Sequence, residues 1–179
     1  MRSSGAVCTL LFSLLTAHPV WATDQLDLSV ALKTLPLLTN KMTSPAVVAI
    51  IYDPASSESK ADADRIKFLI DGGLEAPGNI KLATQLTSVS ELSGLSRARI
   101  AILAQGLPAT DYSAIGSAAS LAKVLTICTD INCVKANKCV LGVISKPQVE
   151  VYYSPVAAEA ANISFASAFT MLAKQVGTM

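Results

Sequence analysis

The chain has 179 residues, 51% of them apolar and 15% charged, with 14 basic and 13 acidic side chains. That length suits one domain with a proper buried core, and so high an apolar content excludes a disordered chain. A nearly neutral balance without a basic run excludes nucleic acid as the expected partner.

Residues 1–22 read as a cleavable secretory signal. Arg2 supplies a positive start and Ala6 to Ala17 an apolar stretch. Val20-Trp21-Ala22 then offers the small and medium residues that signal peptidase reads, so cleavage is expected after Ala22. The apolar run is too short for the ~30 Å hydrocarbon core, which takes about 20 helical residues, so the processed chain is not expected to span a membrane. Cys8 lies inside the run rather than after it, which argues against a lipoprotein signal. Cleavage removes the only histidine (His18), the only tryptophan (Trp21) and Arg2, leaving 13 basic against 13 acidic side chains. The working protein is then expected to be a single domain over residues 23–179.

Leu26 to Leu38 predicts an opening helix ending near Pro36, and residues 39–46 a polar connector. Val47 to Tyr52 is a continuous apolar run, the mark of a strand buried on both faces. Asp53-Pro54 stops it, Ser56 and Ser57 can cap the next helix, and Gly72-Gly73 ends that helix. Its inward stripe is Ala63, Ile66, Leu69 and Ile70, and Asp62 and Asp64 read as a solvated face. A strand within Ile80 to Val89, a turn at Ser90 to Leu95 and a strand over Arg99 to Gln105 follow. Next come a helix over Asp111 to Ala122 and a strand over Val124 to Thr129. Val140 to Ile144 and Val149 to Tyr153 flank a four-residue hairpin loop. Ser164 is expected to cap a closing helix with the stripe Phe165, Ala168, Phe169 and Leu172. Alternating strands and helices predict a three-layer α/β sandwich. Its sheet is mostly parallel with helices on both faces, and the antiparallel hairpin lies at its edge.

Chemistry is sparse in this pattern. Without a histidine, serine triads and imidazole acid–base catalysis are excluded from the processed chain. No phosphate loop, dinucleotide fingerprint or zinc-protease motif occurs, so neither an enzyme nor a cofactor is expected. The SxxK spacings at Ser57–Lys60 and Ser120–Lys123 lack the companion motifs of a serine–lysine acyl enzyme. Asn162-Ile163-Ser164 matches a glycosylation sequon but reads better as helix punctuation. Cys128, Cys133 and Cys139 lie within twelve residues. In an oxidising compartment they read as one disulfide and one leftover thiol, and no metal site is expected from three thiols without CxxC spacing. Asp53, Ser56 and Ser57 fall where a parallel strand meets a helix N-terminus, the usual ligand edge of open α/β sheets. Gln105 and Asp130 end neighbouring strands on the same edge. Simple capping is the plainer reading of the Asp53 cluster.

Between Ser90 and Lys174 the chain runs SELSGLSRARIAIL, VLTICTD, KCVLGVI and VEVYYSPVAAEAANISFASAFTMLAK. This succession resembles the YfiR-like (HmsC-like) periplasmic family. Leu92, Ile100 to Leu103, Val124 to Asp130, Gly142, Val149 to Tyr153 and Leu172-Ala173 carry the match. Lys138-Cys139 replaces that family's double glycine, Ser154 replaces its asparagine, and its Trp-Pro after the opening helix is missing. The resemblance implies a non-enzymatic periplasmic regulator that holds an inner-membrane diguanylate cyclase or sensor inactive through its periplasmic domain. It also implies a short-range disulfide near Cys133 and Cys139, with Cys128–Cys139 as the alternative pairing. VVAIIYDPASSESKADA resembles instead the first strand and helix of a substrate-binding lobe of ABC transporters. That leaves a single-lobe solute binder as the alternative, with a small ligand as partner. A homodimer is open in either case. Tyr152, Tyr153 and Phe165 are the expected partner surface for the regulator, since a tyrosine ring packs while its hydroxyl stays wet; a place in the core is the other reading, above all for Phe165.

Overall fold

The computed structural model describes residues 22–177. The expected secretory segment up to Trp21 lies outside them. Six helices and seven strands follow in chain order. They are α1 (Gln25–Lys33), β1 (Ala46–Tyr52), α2 (Ser57–Asp71), β2 (Leu82–Ser88), β3 (Ile100–Leu103), α3 (Tyr112–Ala122) and β4 (Leu125–Cys128). Then come α4 (Ile131–Lys135), β5 (Leu141–Ile144), β6 (Glu150–Tyr153), α5 (Pro155–Ala160), α6 (Ser167–Leu172) and β7 (Lys174–Gln175). Short 3-10 turns cover Leu35–Leu37 and Leu92–Arg97.

The strands form one sheet in the order β2-β1-β3-β4-β5-β6-β7. Every pairing from β2 to β5 is parallel, β5 and β6 form the expected antiparallel hairpin, and β7 returns parallel to β6. Register follows the apolar runs, with Ile50 opposite Ile102 and Ile102 opposite Ile127. Because both sheet faces are covered, successive residues of β1 and β3 are buried alternately in two cores. Val48, Ile50, Ile100 and Ile102 pack with Leu28 and Leu32 of α1 and with Ala63 and Ile66 of α2. Ala49, Ile51, Ala101 and Leu103 pack on the other face with Leu95, with Ile115 and Ala119 of α3, and with Val134 of α4. Each fully buried isoleucine or leucine contributes about 1.5–3 kcal/mol of transfer free energy, so the central strands anchor the molecule.

Two expectations need correction. The opening helix ends at Lys33, and the chain continues as a 3-10 turn containing Pro36, because proline cannot donate within a continuing helix. The closing helix starts at Ser167 with Ala166 at its N-cap, not at Ser164. Phe165 precedes it, pairing its backbone with Leu38, while Ala168 and Leu172 point outward. Only Phe169 of the expected helical stripe remains buried on α6. Asn162, just beyond the end of α5, takes the left-handed conformation with φ 55°, in keeping with helix punctuation. No helix among the described residues is long and apolar enough to cross a membrane.

Candidate functional site

The chain leaves β1 into α2 on one face of the sheet and leaves β3 into α3 on the other. Their carboxyl ends therefore diverge, opening the crevice where doubly wound sheets usually hold ligands. A cleft of about 580 Å³ lies at this edge, lined by Asp24, Asp27, Glu58, Gln105, Asp130 and Lys146 among others.

The N-terminal segment runs across the same edge. Asp24 caps α1 in a reciprocal box: its carboxylate accepts from the Asp27 N–H at 2.9 Å, and Asp27 accepts from the Asp24 N–H at 3.0 Å. Asp27 also accepts from the Ser145 N–H at 2.9 Å, and Lys146 pairs with Asp24 at 2.7 Å, so α1 is tied to the loop after β5. Burial opposes ionisation of Asp24, but hydrogen bonds from Lys146 and the Asp27 main chain outweigh it and hold the carboxyl below its ordinary range.

Thr23 sits in the crevice itself. Its N–H and its hydroxyl donate to the two oxygens of Asp62, each at 2.8 Å, and its Oγ1 lies 3.2 Å from that of Thr129. The Gln105 N–H also donates to Asp62 at 2.8 Å, and the Gln105 side-chain amide donates to Thr129. Gly106 makes this approach possible. It takes φ +75°, and a Cβ there would stand 3.0 Å from the Ser59 nitrogen and from Glu58 Cγ. Asp62 is only 3% exposed, so the expectation that it faces solvent is overturned. Asp64 does face solvent, pairing with Lys60 at 2.7 Å. The signal was available in helix phase: Ser59, Asp62, Ile66 and Ile70 repeat at intervals of three and four, and all are buried.

Of the residues expected at the ligand edge, Gln105 and Asp130 line the cleft. Asp130 accepts from the Tyr112 hydroxyl at 2.7 Å and from the Asn132 N–H at 2.9 Å, capping α4. Burial, reinforced by that hydrogen bond, pushes the Tyr112 hydroxyl far above its ordinary pKa. Asp53 and Ser56 reach the edge but are spent on local structure. Asp53 accepts from the Ala55 N–H at 2.9 Å, and Ser56 caps α2 through the Ser59 N–H at 3.1 Å. Ser57 is exposed and lines a neighbouring hollow of about 350 Å³. Neither SxxK pair is assembled: Lys60 binds Asp64, and the Ser120 hydroxyl donates to the Ala160 carbonyl at 2.6 Å.

The expected partner surface is largely core. Tyr153 and Phe165 are each 8% exposed, and with Phe169 they form an aromatic trio with centroids 4.4–5.9 Å apart. They join the core that the sheet shares with α1 and α2. Tyr152, on the opposite face of β6, is half-buried and donates to Glu150, with the Lys174 ammonium 5.7 Å above its ring.

Cys128, Cys133 and Cys139 converge from the end of β4, from α4 and from the approach to β5, with all three sulfurs within 4.8 Å of one another. They stand as three buried thiols, gathered so that both the Cys133–Cys139 and the Cys128–Cys139 pairing draw on the same cluster. Cys128 also donates to the carbonyl of Asp130 at 3.1 Å, and burial pushes its thiol well above the ordinary range. Such a trio has the donor set and spacing to hold one thiophilic ion as well as to form a disulfide.

No family model and no curated protein match this chain. Solved structures do share its fold. A conserved domain protein from Vibrio cholerae O1 biovar eltor is similar at 12% identity and a TM-score of 0.56, over 89% of this chain and 60% of that one. The ABC domain from Streptococcus pneumonia, solved in complex with L-Trp, is similar at 12% identity and a TM-score of 0.58, over 83% of this chain and 59% of that one. This chain thus spans about 60% of the length of these structures, and the likeness is one of α/β fold.

Proposed function

We propose that this chain is an exported binding module that works by non-covalent capture at the carboxyl edge of its sheet. The observation that supports this most directly is the cleft beside the β1/β3 crevice, rimmed among the described residues by Asp24, Asp27, Glu58 and Asp130, with Lys146 as their one cation. Lys146 is already paired with Asp24. The rim is therefore net acidic and favours a small solute carrying an ammonium group, with Gln105 and Thr129 as hydrogen-bonding partners. The neighbour solved with L-Trp lends its fold to the same reading, as one lobe of a solute binder. Calorimetric titration with a panel of amino acids and amines, and with their N-acetylated forms, tests it. Binding is expected for free amines, to weaken at least about tenfold in Asp130→Asn, and to be lost on acetylation. No heat from any free amine at millimolar concentration would overturn the reading.

A second reading is regulation by contact with the periplasmic domain of an inner-membrane cyclase or sensor. It draws on the resemblance between Ser90 and Lys174 and on two adjacent apolar side chains of α6, Met171 and Leu172, which are 84% and 88% exposed. Under this reading Leu172→Asp abolishes repression of the cyclase without lowering the thermal midpoint. Unchanged repression counts against it.

A further inference from the structure

Asp62 is a buried carboxylate whose three hydrogen-bond donors are all neutral: the Thr23 N–H, the Thr23 hydroxyl and the Gln105 N–H. The ion pairs among the described residues are Lys60–Asp64, Lys67–Asp71, Lys146–Asp24 and Lys174–Glu150, none of which includes it. Arg65 lines the adjacent hollow, but it is exposed and makes no ion pair with Asp62. A buried charge without an opposite charge is costly, so where a cation could meet it is a physical question.

The nitrogen aimed at Asp62 belongs to Thr23, the residue that the sequence places first after signal cleavage. We propose that processing between Ala22 and Thr23 converts this amide nitrogen into a buried α-ammonium that pairs with Asp62, so that export itself completes the binding edge. This rests on the export reading. Water adds across the Ala22–Thr23 peptide bond under a signal peptidase. The C–N bond breaks, Ala22 leaves as a carboxylate on the released peptide, and Thr23 keeps the nitrogen as an amine that takes up a proton. The 2.8 Å contact is already in place, so the ammonium forms inside its own acceptor shell. The Thr23 hydroxyl, bonded to Asp62 and near Thr129, holds the residue there.

Processing has a second effect at the same place. Ala22 lines both the cleft and the neighbouring hollow, and the two also share Glu58 and Gln105. Its release removes a wall common to both, joining them into one longer groove past α2. Among the described residues the unprocessed chain carries a narrower edge and gives the Asp62 carboxylate no positive partner. The processed chain carries a wider edge and a neutralised one.

The test separates the ion pair from export. Two chains are released from a cleavable N-terminal carrier, one starting at Thr23 and one keeping Ala22 before it, each also made as Asp62→Asn. The Thr23-first chain is expected to melt higher by roughly 5 °C. Its α-amine should be acylated on the order of tenfold more slowly at neutral pH than that of the Ala22-first chain, as read by peptide mass. Both differences should vanish with Asp62→Asn. If that variant does not fold, the acylation contrast between the two wild-type chains still decides. Equal midpoints and equal acylation would overturn the ion pair. Intact mass of the exported protein is the separate readout: a first residue of Thr23 supports the processing step, and any other first residue overturns it.

Discussion

A buried sulfur cluster is a choice between two chemistries, and the choice belongs to single residues. Cys128, Cys133 and Cys139 lie within 4.8 Å of one another with their side chains out of water. In an oxidising compartment two of them should join, which stabilises by roughly 2–3 kcal/mol on the chain-entropy model for so short a loop. Alkylation of the unfolded, unreduced protein followed by peptide mapping is expected to find one reactive thiol among the three. Cys133–Cys139 is the bridge expected, because Cys128 ends the apolar strand β4 and packs there as a small buried hydrophobe. Three alkylated thiols would refute the disulfide and leave the trio open to a thiophilic ion.

Between elements, α4 fits closely on β5. A Cβ at Gly142 would stand 2.6 Å from Val134 Cγ2, closer than packed atoms tolerate, so this glycine is a spacing device and not a turn residue. Gly142→Ala should therefore cost about 1–3 kcal/mol by denaturant unfolding. Val134→Ala in the same chain should recover part of that loss, because the two substitutions share one contact. Additive losses would show that the backbone, not Val134, resents the methyl group. Helix α4 also brings Cys133 to the sulfur cluster and begins at Asp130, so its seating on β5 links the thiols to the cleft.

Across the whole molecule, two ion pairs fasten the chain's outer elements to the sheet. Lys146–Asp24 holds α1 to the loop after β5, and Lys174–Glu150 holds β7 to β6. Hydrogen bonds from Lys174, Tyr152 and Gln148 hold the Glu150 carboxyl down at about 2, and Asp24 is also lowered. A lowered carboxylate stabilises the fold above its unfolded pKa of about 4, and that contribution is lost as pH falls through the folded value. Acidification from about pH 5 to pH 2 should thus loosen the periphery first. Hydrogen-exchange protection is expected to fall in α1 and β7 while β1, β3 and β4 keep theirs, since their burial does not titrate. Simultaneous loss across all of them would contradict this order.

The fold was legible because its cause is local. Continuous apolar runs such as VVAIIY and RIAIL can be satisfied only as strands covered on both faces, and the Gly, Pro, Ser and Asp residues between them mark where each element stops. Gln105 and Asp130 were legible for the same reason, since strand ends of a parallel sheet share one edge. Asp62 was half legible, its helix phase pointing inward while its charge argued for water. Contacts between residues far apart in sequence settled the rest. Thr23 and Asp62 are 39 residues apart, and nothing in either neighbourhood announces the other. Tyr153 and Phe165 are amphipathic or apolar side chains with two acceptable homes. Only the return of the chain through Phe165, backbone-paired with Leu38, made theirs the core. Hydrophobic periodicity states which way a side chain leans along its own element, whereas its burial depends on what the rest of the chain brings to meet it.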